Sequence, residues 1–324
     1  MELPFAIHGP GWFISPVIRL PILLCLLALL PSCRPPAAQS AQPQHRGSVW
    51  VVDREGRPGR LFLCGTIHIL RQSDHPLAPG YDFAYQQSQK LIFELPPGAS
   101  EAPEFSARLL ELGQYPEDES LEASVSAETW EKLKAWVKSR RKSLASFNRF
   151  RPWLASLFIT SEEYQALGAS NDKGADQLYE NLSRRDHKPG EGLENVELQL
   201  QLFSQLTASQ QAEMLEQTLA EVSTLPQEYE TMISAWKKGD IDTLHGLINR
   251  EAEKYPELLE IFINRRNHAW IDRLDTLLSA GEKVMVLVGA GHLGGRPDGV
   301  LALLKTRGCR VRHISEVMKE TNSH

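Results

Sequence analysis

Apolar and polar positions along this chain fall into short β-rich runs and long amphipathic stretches, and the two are unevenly distributed. Val49-Trp50 to Asp53 and Leu61-Phe-Leu-Cys64 flank the turn-forming cluster Arg54-Glu-Gly-Arg-Pro-Gly59, which predicts a β-hairpin. A helical stretch from about Pro79 to Lys90 follows, then the strand Leu91-Ile-Phe93, stopped by Pro96-Pro97-Gly98. Beyond about Ala102 the pattern is mostly helical. Trp130, Leu133, Trp136 and Val137 share one helical face, and the polar run Lys138 to Lys142 is its solvated end. Leu154, Leu157 and Phe158 mark another helix, begun by Pro152, where a missing N–H costs no intrahelical bond. Gly192-Leu193 reads as a brief strand before a helix from Val196 to Leu206, and helices run on to about Leu278. Lys283-Val-Met-Val-Leu-Val288 is the strongest strand of the chain. Pro297 to Thr306 reads as a helix with Gly308 at its C-terminus, and Val311 to Ile314 as a last strand. Strands gather near both ends of the mature chain. This predicts an α/β (α+β) domain at 48–320, with a central mixed sheet built from both ends and a large helical insertion at about 102–278.

The N-terminus has a different pattern. Leu20 to Leu30 is an unbroken apolar run behind Arg19, too short to span a bilayer, which takes about 20 residues. It fits the hydrophobic region of a secretory signal. The run ends Leu30-Pro31-Ser32-Cys33, which resembles a bacterial lipobox, with Pro31 departing from the usual small residue. Residues 1–32 are therefore expected to be a lipoprotein-type signal peptide and Cys33 a lipidated anchor, with plain cleavage the alternative. Pro35, Pro36 and Pro43 lie in a segment without apolar period, so 33–47 is expected to be a disordered tether.

Composition changes this picture little. The chain has 324 residues, is 42% hydrophobic and 23% charged, and carries a net charge of −6, so a nucleic-acid partner has no support. Loss of 1–32 removes one acid, Glu2, and one base, Arg19, and leaves that charge unchanged. Four Cys are too few for a disulfide scaffold; Cys64 and Cys309 border apolar runs and read as buried thiols.

Candidate chemistry sits at predicted strand ends, where open α/β sheets bind ligands. Gly65-Thr-Ile-His68 follows the second strand, and Gly289-Ala-Gly-His292 follows the strongest one, so a Gly-x-x-His device occurs twice. One histidine after a strand is most often structural; two presented alike, with a carboxylate, suffice to hold a divalent metal. Glu94 ends the Leu91–Phe93 strand, and an acid there must be solvated, paired or metal-bound. Glu194 follows Gly192-Leu193 in the same way, although a carboxylate just before a helix also suits the dipole. Gly289-Ala-Gly-His-Leu-Gly294 is also a literal dinucleotide fingerprint, with Glu316 downstream. The short remaining chain, the late proline-led helix and the export signal count against that use.

Together and in order, these motifs resemble the TraB/GumN family, which includes PrgY-like and Tiki-like proteins. The resemblance rests on Leu63-Cys-Gly-Thr-Ile-His68, Phe93-Glu94, Arg151-Pro-Trp153, Gly174-Ala-Asp176, Gly192-Leu-Glu194 through Gln199, Arg266-Asn267 and Val288-Gly-Ala-Gly-His-Leu-Gly294. Ala175 stands where a bulkier apolar residue is usual. The resemblance implies a metal-dependent, hydrolase-like α/β fold, as in Tiki-like membrane-tethered metalloproteases that favour manganese or cobalt. Carried onto this chain, it makes His68, Glu94 and His292 ligand or catalytic candidates, with Arg151, Glu194 and Asn267 in support. The expectation is a hydrolase using manganese, cobalt or zinc, with Glu94 as third ligand or general base and Arg151 as the cation facing a developing oxyanion. Its substrate would be a peptide or protein at the periplasmic side of a bacterial envelope. The rivals are a non-catalytic module that sequesters a peptide or small molecule, and a structural envelope lipoprotein.

Overall fold

A computed structural model describes residues 46–248 and 256–321; the expected signal peptide, Cys33 and almost all of the expected tether lie outside them. In chain order the elements begin with β1 (Val49–Asp53), β2 (Arg60–Thr66), β3 (Leu70–Arg71), α1 (Pro79–Gln87) and β4 (Lys90–Phe93). A helical series follows: α2 (Pro103–Gly113), α3 (Leu121–Ser124), α4 (Ala127–Ser139), α5 (Leu144–Phe147) and α6 (Pro152–Ala166). Then come β5 (Ala169–Ser170), α7 (Ala175–Arg185), β6 (Gly190–Gly192), α8 (Val196–Ser204), α9 (Ala208–Glu221), α10 (Leu225–Lys238) and α11 (Ile241–Ile248). The chain closes with α12 (Pro256–Leu259), α13 (Arg265–Ser279), β7 (Lys283–Gly289), α14 (Val300–Thr306), β8 (Arg310–His313) and α15 (Ile314–Thr321).

The six-stranded sheet has the order β6-β4-β7-β2-β1-β8. The strands β6, β4, β7 and β2 are mutually parallel, and β1 runs antiparallel to both its neighbours. The fold class is therefore mixed α/β, with strands drawn from both ends of the domain. One strand, β6, comes from within the long helical stretch. The strands β1, β2, β4 and β7 bury both faces, which is why their sequences are near-continuous apolar runs. In β7, Val284, Val286 and Val288 pack against Trp270, Leu274 and Leu278 of α13 and Leu301 of α14. Met285 and Leu287 point the other way, into a core with Tyr81, Tyr179, Trp236 and Ile314. A third cluster, built on Trp130, Leu133, Trp136, Phe147 and Ile159, gives the helical series its own core.

Several boundaries differ from the sequence expectation. Helix α1 stops at Gln87, because Lys90 is already paired with Val284 in the sheet. Helix α8 stops at Ser204. The helix expected from Pro297 begins at Val300, since the Asp298 carbonyl is taken by the Asn267 side chain and Gly299 folds tightly under Gly294. Ile314 starts α15 instead of ending a strand. Cys64 and Cys309 are buried free thiols.

Candidate functional site

The register of the parallel strands fixes where the chemistry lies. Thr66 stands opposite Gly289, and Phe93 opposite Gly192, so the residues that follow all emerge at one edge of the sheet. His68, Glu94, Glu194 and His292 thus come from the ends of four adjacent strands. The backbone ladder continues past the strands, with the Leu193 N–H on the Phe93 carbonyl (2.8 Å) and the Glu194 N–H on the Glu94 carbonyl (2.9 Å). Gly289 sits under the cluster. A Cβ there would lie 3.3 Å from Glu94 Oε1, 3.6 Å from His68 Nε2 and 3.6 Å from His292 Cδ2. Glu94 Oε1 also accepts the Gly289 N–H at 2.7 Å.

The two histidines share a sequence device and differ in chemistry. The His292 side chain is only 5% exposed. Its Nδ1 lies 2.7 Å from Asn267 Oδ1. Asn267 Nδ2 donates to the carbonyls of His292 (3.3 Å) and Asp298 (2.9 Å), so its oxygen faces the ring as an acceptor. The network therefore assigns the proton to Nδ1 and leaves the Nε2 lone pair to accept from Arg266 Nη1 at 3.1 Å. Burial pushes His292 down to about 3, so its ring is neutral.

The His68 side chain is 60% exposed, and its Nδ1 lies 2.7 Å from Asp176 Oδ2 in the first turn of α7. The Asp176 carboxylate raises His68 to about 9. Solvent screening weakens the attraction in so exposed a pair without reversing it. The turn carrying His68 is clamped against α7. The Ala175 N–H donates to the Ile67 carbonyl (3.1 Å), and a Cβ on Gly174 would stand 2.2 Å from the His68 carbonyl oxygen.

Between the carboxylates lies Arg266. Its Nε donates to Glu194 Oε1 (2.8 Å), and Nη2 donates to Glu194 Oε2 (2.9 Å) and Glu94 Oε2 (2.5 Å). Nη1 also reaches the Phe262 carbonyl at 3.1 Å. The Glu94 and Glu194 side chains are 11% and 8% exposed. Burial pushes Glu94 up, but the charges of Arg266 and His68 and the Gly289 N–H outweigh it and hold the carboxylate well below the usual range. Trp270, one turn after Arg266, donates Nε1–H to Glu194 Oε1 (2.9 Å), and Gln199 Nε2 donates to Glu94 Oε2 (3.2 Å). A π-helical turn over Glu260–Asn264 leads into α13 directly before Arg266, a deviation common at functional sites.

Of the residues named from sequence, His68, Glu94, Glu194, Asn267 and His292 belong to this cluster. Arg151 does not join its hydrogen bonds: it precedes α6, its guanidinium lies 4.7 Å over the Tyr115 ring, and its N–H bonds the Gly113 carbonyl. The cation beside the strand-end groups is Arg266. Arg266, Asp176 and Gln199 were visible only as motif members, and Trp270 only by its one-turn spacing from Arg266.

The donor types suit a divalent cation: His68 Nε2 and the Glu94 carboxylate face Gly289, and His292 stands beside them with its Nε2 on Arg266. Arg266 engages two of these three groups. Among the described residues, no group of three or more His, Cys, Asp or Glu side chains is gathered closely enough to hold a metal ion. The donors thus suit such an ion by residue type, with Arg266 holding two of them. The Gly289–Gly294 segment forms a short 3-10 turn that sends His292 inward, and α14 begins only at Val300.

No curated protein and no solved structure matches the chain. The sequence model of the TraB/PrgY/gumN family matches residues 48–313. That span covers both histidine turns, both glutamates and Arg266, and the chain belongs to the TraB/PrgY/gumN family.

Proposed function

We propose that this protein is a metal-dependent hydrolase, a peptidase acting on peptides or proteins at a bacterial cell envelope. The observation that carries this reading is the convergence of His68, Glu94 and His292 over Gly289 at the carboxyl ends of parallel strands. A divalent ion such as manganese, cobalt or zinc, held by Nε2 of His68, Nε2 of His292 and the Glu94 carboxylate, would polarise a substrate carbonyl and acidify water. The chain's own residues then divide the work. Asp176 engages Nδ1 of His68 and leaves Nε2 facing Gly289; Asn267 engages Nδ1 of His292 and leaves its Nε2 facing Arg266. Glu94, held strongly ionised, suits ligation better than proton abstraction. Arg266, anchored on Glu194, supplies a cation for a developing oxyanion, the role the sequence had suggested for Arg151.

The test is Mn2+, Co2+ and Zn2+ binding with peptidase assays on wild type, His68→Ala and His292→Ala. Both variants are expected to lose metal and turnover; full retention by either removes the assignment. The ion-paired state of Arg266 favours a second reading, a binding protein that takes up a peptide or small molecule without turnover under any metal. We further propose export and lipid anchoring at Cys33, supported by the apolar run before it. Cys33→Ser should move the protein from the membrane to the soluble fraction; unchanged fractionation refutes the anchor.

A further inference from the structure

We propose that Arg266 is the resident cation of this site and competes with a divalent metal for His292 and Glu94, so that the metal enters only as the guanidinium withdraws onto Glu194. This rests on the metal-site reading above.

Two observations carry it. His292 Nε2 has one lone pair, and it points at Arg266 Nη1, 3.1 Å away. A lone pair can accept that N–H or bind a metal, not both. Glu94 Oε2 likewise receives Arg266 Nη2 and Gln199 Nε2. The guanidinium cannot clear the way by losing its proton, so it must move.

The geometry also supplies where it goes. Nε and Nη2 form a complete fork on Glu194, and Trp270 Nε1 holds Oε1 of the same carboxylate. Arg266 can therefore release Nη1 from His292 and Nη2 from Glu94 while keeping a two-point anchor. Two arrangements follow, one with the guanidinium on all three groups and one with it on Glu194 alone. Metal affinity in the wild type is then weaker than the donor set by itself would give.

Isothermal titration of the full chain with Mn2+ tests this. Arg266→Lys keeps the charge, and so the cation between the buried carboxylates, but has no fork to span Glu94, Glu194 and His292 together. Competition predicts Mn2+ binding about tenfold tighter in Arg266→Lys than in wild type, the size of a lost charge-assisted hydrogen bond. A pure charge effect predicts no difference, and equal or weaker binding overturns the proposal. His68→Ala and His292→Ala separate the two ideas. If these lose Mn2+ while Arg266→Lys binds like wild type, only the competition fails. If they bind like wild type, or if neither wild type nor Arg266→Lys binds Mn2+, the metal site and the competition fail together.

Discussion

His68 and His292 are the same residue type after the same turn, yet their surroundings push them in opposite directions. This gives opposite pH signatures. His68, raised by Asp176 from an ordinary 6.5 toward about 9, stabilises the fold fully below pH 6.5, and that contribution disappears as pH rises through about 9. His292 is lowered to about 3, so the unfolded chain binds a proton the native ring refuses. Its contribution is therefore present above pH 6.5 and erodes as pH falls toward 3. NMR titration of the metal-free protein should show His68 titrating above 6.5 and returning toward 6.5 in Asp176→Asn. A His68 resonance that titrates unchanged in that variant removes the pairing. Asn267 is fully buried and joins His292 to the carbonyls of His292 and Asp298. Asn267→Ala should cost about 2 kcal/mol in a denaturant melt, for the buried hydrogen bonds lost. A loss within experimental scatter would mean the side chain does not hold the ring.

At the scale of elements, strand ends carry the site. The β-rich runs of β1, β2, β4 and β7 were legible because these strands are buried on both faces, and so were the residues that leave them. What sits beneath the cluster was legible only as a glycine. Gly289→Ala would bring its Cβ to 3.3 Å from Glu94 Oε1, so that the carboxylate must shift by a few tenths of an ångström, and to ordinary contact at 3.6 Å with His292 and His68. Thermal stability should change little, while Mn2+ binding should fall by an order of magnitude or more, because the methyl fills the shared space; a circular-dichroism melt and a titration check both. Wild-type affinity in Gly289→Ala would place the metal elsewhere. The strand β6 was only partly readable, since glycine-rich Gly190–Gly192 lacks β-branched residues and is placed by pairing with β4.

At the scale of the whole molecule, the helical stretch is part of the site and not merely a cover for it. Asp176 and Gln199 come from α7 and α8, and reach histidine and glutamate on the sheet. The junction is tight: β3 pairs with β5, and Gly174 packs on the His68 carbonyl. Gly174→Ala would force backbone apart at 2.2 Å, so it should lower the melting temperature by several degrees and free His68 from Asp176. A variant that melts like wild type and keeps the raised His68 titration would show the junction to be compliant. The third hydrophobic cluster, remote in sequence from the strand ends, should keep its packing in that variant.

By itself the sequence determined the elements and the strand-end chemistry, because burial on two faces imposes an apolar run and a turn imposes glycine. It also placed His68, Glu94, Glu194 and His292 at chain positions that any parallel pairing of those strands brings to one edge. The tertiary structure alone decided which cation stands among them. Arg151 and Arg266 are equal as sequence, and only the packing of α13 against the sheet puts Arg266 between two buried carboxylates. It also decided the unlike characters of the two histidines, since proton affinity depends on burial and on the partner opposite Nδ1, and those partners, Asp176 and Asn267, lie far along the chain.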